Sequence, residues 1–68
     1  MASDSHQRAA EFHEMAAHAH RAAAAHYANG DYKSGHDLTR QAMEHSAKAH
    51  QWSQEAWKTS ESSAAKKD

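Results

Sequence analysis

The chemistry that this chain could perform centres on histidine, which supplies eight of its 68 residues. Imidazole nitrogen is a ligand for zinc, copper, nickel and cobalt. His18 has two further donors at helical spacing, because Glu14 lies four residues and Met15 three residues before it. No two histidines are three or four residues apart, so a metal site built on imidazoles has to form between helices.

A helical hairpin that turns near residue 30 would supply such pairs. In that arrangement His18 lies level with His45 and His13 level with His50, whereas a tighter turn brings His13 level with His45. We therefore predict a non-catalytic site for a divalent transition metal ion: zinc, copper, nickel or cobalt. The predicted ligands are His13, His18, His45 and His50, with Glu14 or Met15 as a fourth group.

The motifs that would make this chain an enzyme are missing. The segment from His13 to His18 resembles the H-E-x-x-H helix of zinc proteases, but the second histidine comes one residue late. Five residues advance a helix by about 140°, so the two rings diverge. The chain has no Glu-x-x-His pair for a di-iron bundle and no cysteine nucleophile. We expect no enzymatic activity.

The elements that must position these residues are helices, because alanine dominates the apolar content and proline is absent. Asp4 and Gln7 have the spacing of a capping box, which predicts helix one over about 4–28. Asn29 and Gly30 supply a helix stop, and helix two follows over about 32–59. Residues 1–59 then form one all-α antiparallel hairpin, and residues 60–68, without a large apolar residue, are predicted to be a flexible tail.

Each predicted helix carries two stripes at spacings of three and four residues. The first stripes would pack together: Ala9, Phe12, Ala16, Ala19, Ala23 and His26 of helix one, with Gly35, Leu38, Ala42, His45, Ala49, Trp52 and Ala56 of helix two. The second stripes are His6, Ala10, His13, Ala17, His20, Ala24 and Tyr27, and His36, Met43, Ala47, His50, Gln54 and Trp57. Because a hairpin buries one stripe per helix, the second stripes predict a homodimer that forms a four-helix bundle.

The alternative is a helical adaptor that binds another protein without metal. Its contact residues would be Tyr27, Met43 and Trp57, which we also expect at the interface of a dimer. If His6, His13 and His20 lie at that interface, acidification should loosen it, because histidine gains charge between pH 8 and pH 5.

Composition argues against other classes of partner. The formal net charge is -1 and there is no basic stripe, which argues against nucleic acid. The longest apolar run, Ala22 to Ala25, is far too short for a membrane span. Residues 1–5 lack the pattern of a signal peptide, so we expect a cytoplasmic protein.

The segment from Ala23 to Glu44, about a third of the chain, resembles the middle of a tetratricopeptide repeat. The matching positions are Tyr27, Gly30, Asp31, Tyr32, Gly35 and Ala42. The resemblance implies a helical hairpin with a tight turn and, as a function, the binding of a partner protein.

Overall fold

The computed structural model describes the backbone of residues 2–66 and the side chains of residues 3–59. It consists of two α-helices, α1 (Ala2–Ala28) and α2 (Tyr32–Lys66). They pack against each other along their length as an antiparallel hairpin, about 58 Å long and 12 to 13 Å across. The predicted all-α hairpin is confirmed. Neither helix, within the residues described, is long and apolar enough to span a bilayer.

The turn joins the helices with three residues and leaves few backbone groups unpaired. Gly30 has a φ of 79°, the left-handed conformation that glycine adopts without steric cost. Its N–H donates to the Tyr27 carbonyl at 3.1 Å, and the Asp31 N–H donates to the His26 carbonyl at 2.8 Å. This pair of bonds is the Schellman motif, which satisfies the last carbonyls of α1.

Asp31 ends the turn and also begins α2. Its Oδ1 accepts a hydrogen bond from the Ser34 N–H at 3.2 Å, as an N-cap carboxylate does. Its Oδ2 lies 3.1 Å from Nδ1 of His26, at the end of α1. Hydrogen bonds from the Ser34 hydroxyl, from the Ser34 N–H and from His26 hold the pKa of the Asp31 carboxyl below its ordinary value. One residue thus stabilises both helix ends.

The core is a seam of small residues, which we call the alanine seam. On α2 its members lie seven residues apart: Gly35, Ala42, Ala49 and Ala56. All three alanines are 0% exposed. On α1 the seam consists of Ala9, Ala16, Ala19 and Ala23, all buried. A spacing of seven residues is the one at which a left-handed coiled coil keeps a seam facing its partner helix.

Both helices extend further than the sequence predicted. α1 begins at Ala2, so Asp4 lies in its first turn rather than at its N-cap. α2 runs to Lys66 instead of ending near Thr59. Residues 60–66 include no proline or glycine, the residues that most disfavour a helix interior. The part of the predicted tail beyond Lys66 lies outside the described residues.

Candidate functional site

Three contacts show how α1 and α2 are aligned, and all three lie on one side of the hairpin. The rings of Phe12 and His45 stack with centroids 6.5 Å apart. The Arg8 guanidinium lies 5.3 Å from the centroid of the Trp52 ring, and Lys48 Nζ lies 5.9 Å from that of Phe12. His45 is therefore level with Phe12, the tighter of the two registers considered from the sequence. The three-residue turn imposes that register.

The same side of the hairpin carries a shallow open groove of about 540 Å³. Its walls come from both helices and include Glu11, Glu14, Met15, His18, Leu38 and His45. Four of the predicted metal ligands thus border one depression, namely Glu14, Met15, His18 and His45. Along the helix axis, however, His18 lies six residues from Phe12, the neighbour of His45, which corresponds to roughly 9 Å.

The opposite side of the hairpin carries most of the histidines. Met15 and His45 border the groove. Residues on the other side of the alanine seam therefore project away from it. Two rows lie there, each with a spacing of seven residues, and we call them together the histidine face. The α1 row is His6, His13, His20 and Tyr27, and the α2 row is His36, Met43, His50 and Trp57.

The histidine face combines exposed apolar groups with imidazoles, and its two rows contain no Asp, Glu, Lys or Arg. Tyr27 is 40%, Met43 64% and Trp57 65% exposed, and its five histidines are exposed as well. On α1 the row beside the face consists of Ala10, Ala17 and Ala24. On α2 the rows beside it are Thr39, Ser46 and Ser53 toward the seam, and Lys33, Arg40, Ala47 and Gln54 on the outer side. The groove side, by contrast, carries Arg8, Glu11, Lys48 and Glu55.

The predicted ligands are therefore divided between two sides of the molecule. His13 and His50 lie on the histidine face, while Glu14, Met15, His18 and His45 line the groove. His13 does not meet His45, because the two project to opposite sides of the seam. Among the described residues, no group of three or more histidine and acidic side chains is arranged to hold a metal ion. Metal binding stays a prediction.

The three predicted interface residues, Tyr27, Met43 and Trp57, all lie on the histidine face, where they are available to a partner. Sequence reasoning missed the groove and the position of Arg8 over Trp52. A signal for the shared face was present, because both rows recur at seven residues. The sequence alone did not show on which side of α1 the helix α2 packs.

Comparisons with protein-family models, with curated proteins and with solved structures returned no significant match.

Proposed function

We propose that this protein is a non-catalytic helical interaction module, cytoplasmic as the sequence predicts, that pairs with a second copy of itself through the histidine face to form a four-helix bundle. The observation that carries the proposal is the composition of that face. Exposed Tyr27, Met43 and Trp57 lie among five exposed imidazoles, in two rows that contain no Asp, Glu, Lys or Arg. A contiguous exposed surface of this kind is typical of an interaction site.

The thin core supports the need for a partner. Apolar burial contributes about 25 cal/mol per Å², and the buried hydrophobic residues of the described chain are all alanines. No large side chain among the described residues is fully buried. Chains of this length usually need a metal, a disulfide or a partner, and this chain has no cysteine.

The large accessible surface of the chain supports the binding of a partner of similar size. The accessible surface is 5150 Å², whereas a compact monomer of 7.5 kDa exposes roughly 4200 Å². One long side of a rod of 58 by 13 Å offers roughly 750 Å², close to the ~800 Å² that each partner contributes to a standard interface.

A second copy fits this face better than a charged partner does. Because the two rows of the face contain no Asp, Glu, Lys or Arg, two copies can meet along these rows without burying an unpaired side chain of those types, which would be strongly unfavourable. The same face on both subunits is what a two-fold dimer requires. The Asp, Glu, Lys and Arg side chains of the described residues lie outside the two rows, and Lys33 and Arg40 lie along the outer edge of the α2 row.

The test is sedimentation equilibrium of the untagged chain in the presence of a chelator, with a matched pair of variants. Met43 and Met15 are both exposed, but they lie on opposite sides of the hairpin. We expect a dimer, weakened at least ~10-fold by Met43→Lys, which corresponds to about 1.4 kcal/mol. Met15→Lys should leave it unchanged. A chain that is monomeric at millimolar concentration contradicts the proposal, as does Met15→Lys being the more disruptive variant.

A further inference from the structure

The groove on the side opposite the histidine face runs along both helices. Its lining residues recur at spacings of three and four, from Glu11 to Ala22 on α1 and from Leu38 to His45 on α2. Between Glu11 and Ala22 the helix rises by roughly 16 Å, about the length of three helical turns. The apolar members of the lining are Met15, Ala19, Ala22 and Leu38.

Carboxylates border the groove on both of its walls. Glu11 and Glu14 belong to the α1 wall. On α2, Asp37 lies four residues before the wall residue Gln41 and Glu44 three residues after it, so all three share one side of the helix. The four carboxylates are exposed, and within the described residues none of them takes part in an ion pair.

The basic side chains on the same side of the hairpin do not neutralise these walls. The described residues that line the groove include no lysine or arginine. The Arg8 guanidinium lies over the ring of Trp52, and Lys48 Nζ lies over the ring of Phe12. The groove therefore combines an apolar lining with unpaired negative charge, which attracts a partner of positive charge.

We propose that this groove binds an amphipathic, basic helix of another protein. The apolar side chains of that helix lie against Met15 and Leu38, and its lysine or arginine side chains pair with the carboxylates along the two walls. This is the helix-in-groove mode of recognition, and the bound helix completes a three-helix bundle with α1 and α2. The inference goes beyond self-association, because the groove and the histidine face lie on opposite sides of the hairpin.

A second copy of the chain fits this groove poorly. Two groove sides that faced each other would bring carboxylates of the same charge together, which is unfavourable. The two rows of the histidine face contain no lysine or arginine, so they cannot supply the cations that the walls require. The small side chains of Ala19 and Ala22 allow a foreign helix to approach closely at one end of the groove.

The probe is a synthetic peptide of about 15 residues, long enough to form a helix when bound. It carries leucines on one helical face and lysines beside them, with alanine elsewhere. One reference peptide has glutamate in place of each lysine, and another has serine in place of each leucine. In fluorescence anisotropy titrations with the full chain, we expect only the leucine and lysine peptide to bind.

Methionine methyl NMR locates the peptide on the protein. Met15 lines the groove, whereas Met43 is exposed on the histidine face. We expect the Met15 methyl resonance to shift on addition of the peptide and the Met43 resonance to stay in place. A shift of Met43 alone would place the peptide on the histidine face and overturn the proposal.

Two pairs of variants separate binding in the groove from general attraction by charge. Glu14→Gln should weaken peptide binding roughly 3-fold, whereas Glu55→Gln changes the net charge equally at an exposed position outside the groove and should have no effect. Ala22→Gln places a longer side chain in the groove and should also weaken binding. Its control is Ala25→Gln, at an exposed position outside the groove. Circular dichroism verifies that all four variants remain helical.

Three further results would overturn the proposal. They are equal binding of the serine-substituted peptide, equal effects of Glu14→Gln and Glu55→Gln, or no binding of the leucine and lysine peptide at millimolar concentration. Each of these outcomes leaves the proposed dimer intact, since Met43→Lys tests the dimer on the other side of the molecule.

Discussion

The ring of Tyr27 occupies the space that a side chain at position 35 would need. A Cβ on Gly35 would lie 3.0 Å from three carbons of that ring, closer than ordinary van der Waals contact. Gly35 lies in the first turns of α2 and is buried, and Tyr27 lies in the last turn of α1. The close approach of the helices beside the turn therefore depends on this glycine.

A double-mutant cycle on this pair should show strong coupling. In a helix interior, Gly→Ala stabilises by about 1 kcal/mol. In the wild-type background we expect Gly35→Ala to lose that gain, because the tyrosine ring has to move. In the Tyr27→Ala background the gain should return. Urea unfolding of the four proteins should therefore give an interaction free energy of about 1 kcal/mol. Equal effects of Gly35→Ala in both backgrounds would show that the ring moves without cost.

Enlarging the alanine seam should destabilise the hairpin. Ala42 is 0% exposed at the centre of the seam, so Ala42→Leu has to separate the helices or force strained side-chain conformations, at a cost of about 1–3 kcal/mol. The control is Ala47→Leu, at an exposed position of the same helix. Thermal unfolding followed by circular dichroism should show a lower midpoint for Ala42→Leu alone. Matching midpoints would mean that the seam is loosely packed.

The Asp31 cap predicts an acid-sensitive turn. The pKa of its carboxyl is below the ordinary value because the folded chain stabilises the ionised form through Ser34 and His26. Its stabilising contribution is therefore fully present above the ordinary pKa and is lost as the pH falls through the lower, folded value. Asp31→Asn keeps an N-cap but cannot ionise, so its stability should fall less between pH 5 and pH 2.

The control for this experiment is Asp37→Asn, which removes an exposed carboxylate further along α2. Melting temperatures of the three proteins across the acid range make the comparison. We expect the Asp37→Asn profile to follow the wild type. An Asp31→Asn profile that also follows the wild type would show that the cap makes no ionisation-dependent contribution.

Acidification should also dissociate the proposed dimer. Histidine side chains gain their charge as the pH falls from 8 to 5, and the face carries five: His6, His13, His20, His36 and His50. Among residues 3–59, the rows of the face and those beside them include no carboxylate to neutralise that charge, and Lys33 and Arg40 beside the α2 row are themselves basic. Sedimentation at pH 7.5 and pH 5 should show weaker association at the lower pH, with the helical signal retained. A dimer that is equally tight at both pH values would place these histidines outside the interface.

The two tryptophans should have different roles. Trp52 is half-buried beside the Arg8 guanidinium, whereas Trp57 is 65% exposed on the histidine face. We expect Trp52→Ala to lower the free energy of unfolding by about 1–2 kcal/mol, part of it from the lost cation–π contact. Trp57→Ala should mainly weaken association. This division of roles is wrong if both variants lower the free energy of unfolding equally at concentrations where the protein is monomeric.

The sequence predicted the helices, the turn and the buried stripe, because each depends on local chemistry. Gly30 terminates α1 through its conformational freedom, and the spacing from Ala9 to Ala23 identifies the packed side without knowledge of the partner helix. The helix ends were less predictable. Asp4 has the chemistry of a cap, but Ala2 and Ser3 are equally able to continue a helix.

The candidate site could be predicted only in part, because it depends on how one helix is placed on the other. The second stripes were visible in the sequence, yet their position on one common side follows from contacts such as that of Phe12 with His45. The same contact separates His13 from His45, which the numbering alone would place level. Spacing predicts which residues share a helix stripe, and packing decides which stripes meet.

The seam of α2 has a small residue, glycine or alanine, at every seventh position from Gly35 to Ala56. A repetitive seam fits almost as well when one helix slides by a full repeat, so it does not by itself encode a unique alignment. The turn has to determine the alignment of the two helices, through Gly30, the Asp31 cap and the ring of Tyr27 against Gly35. A chain that straightened at Gly30 would present the same seam to another straightened chain. Exchange of whole helices between molecules is thus the misassembly against which this three-residue connection protects.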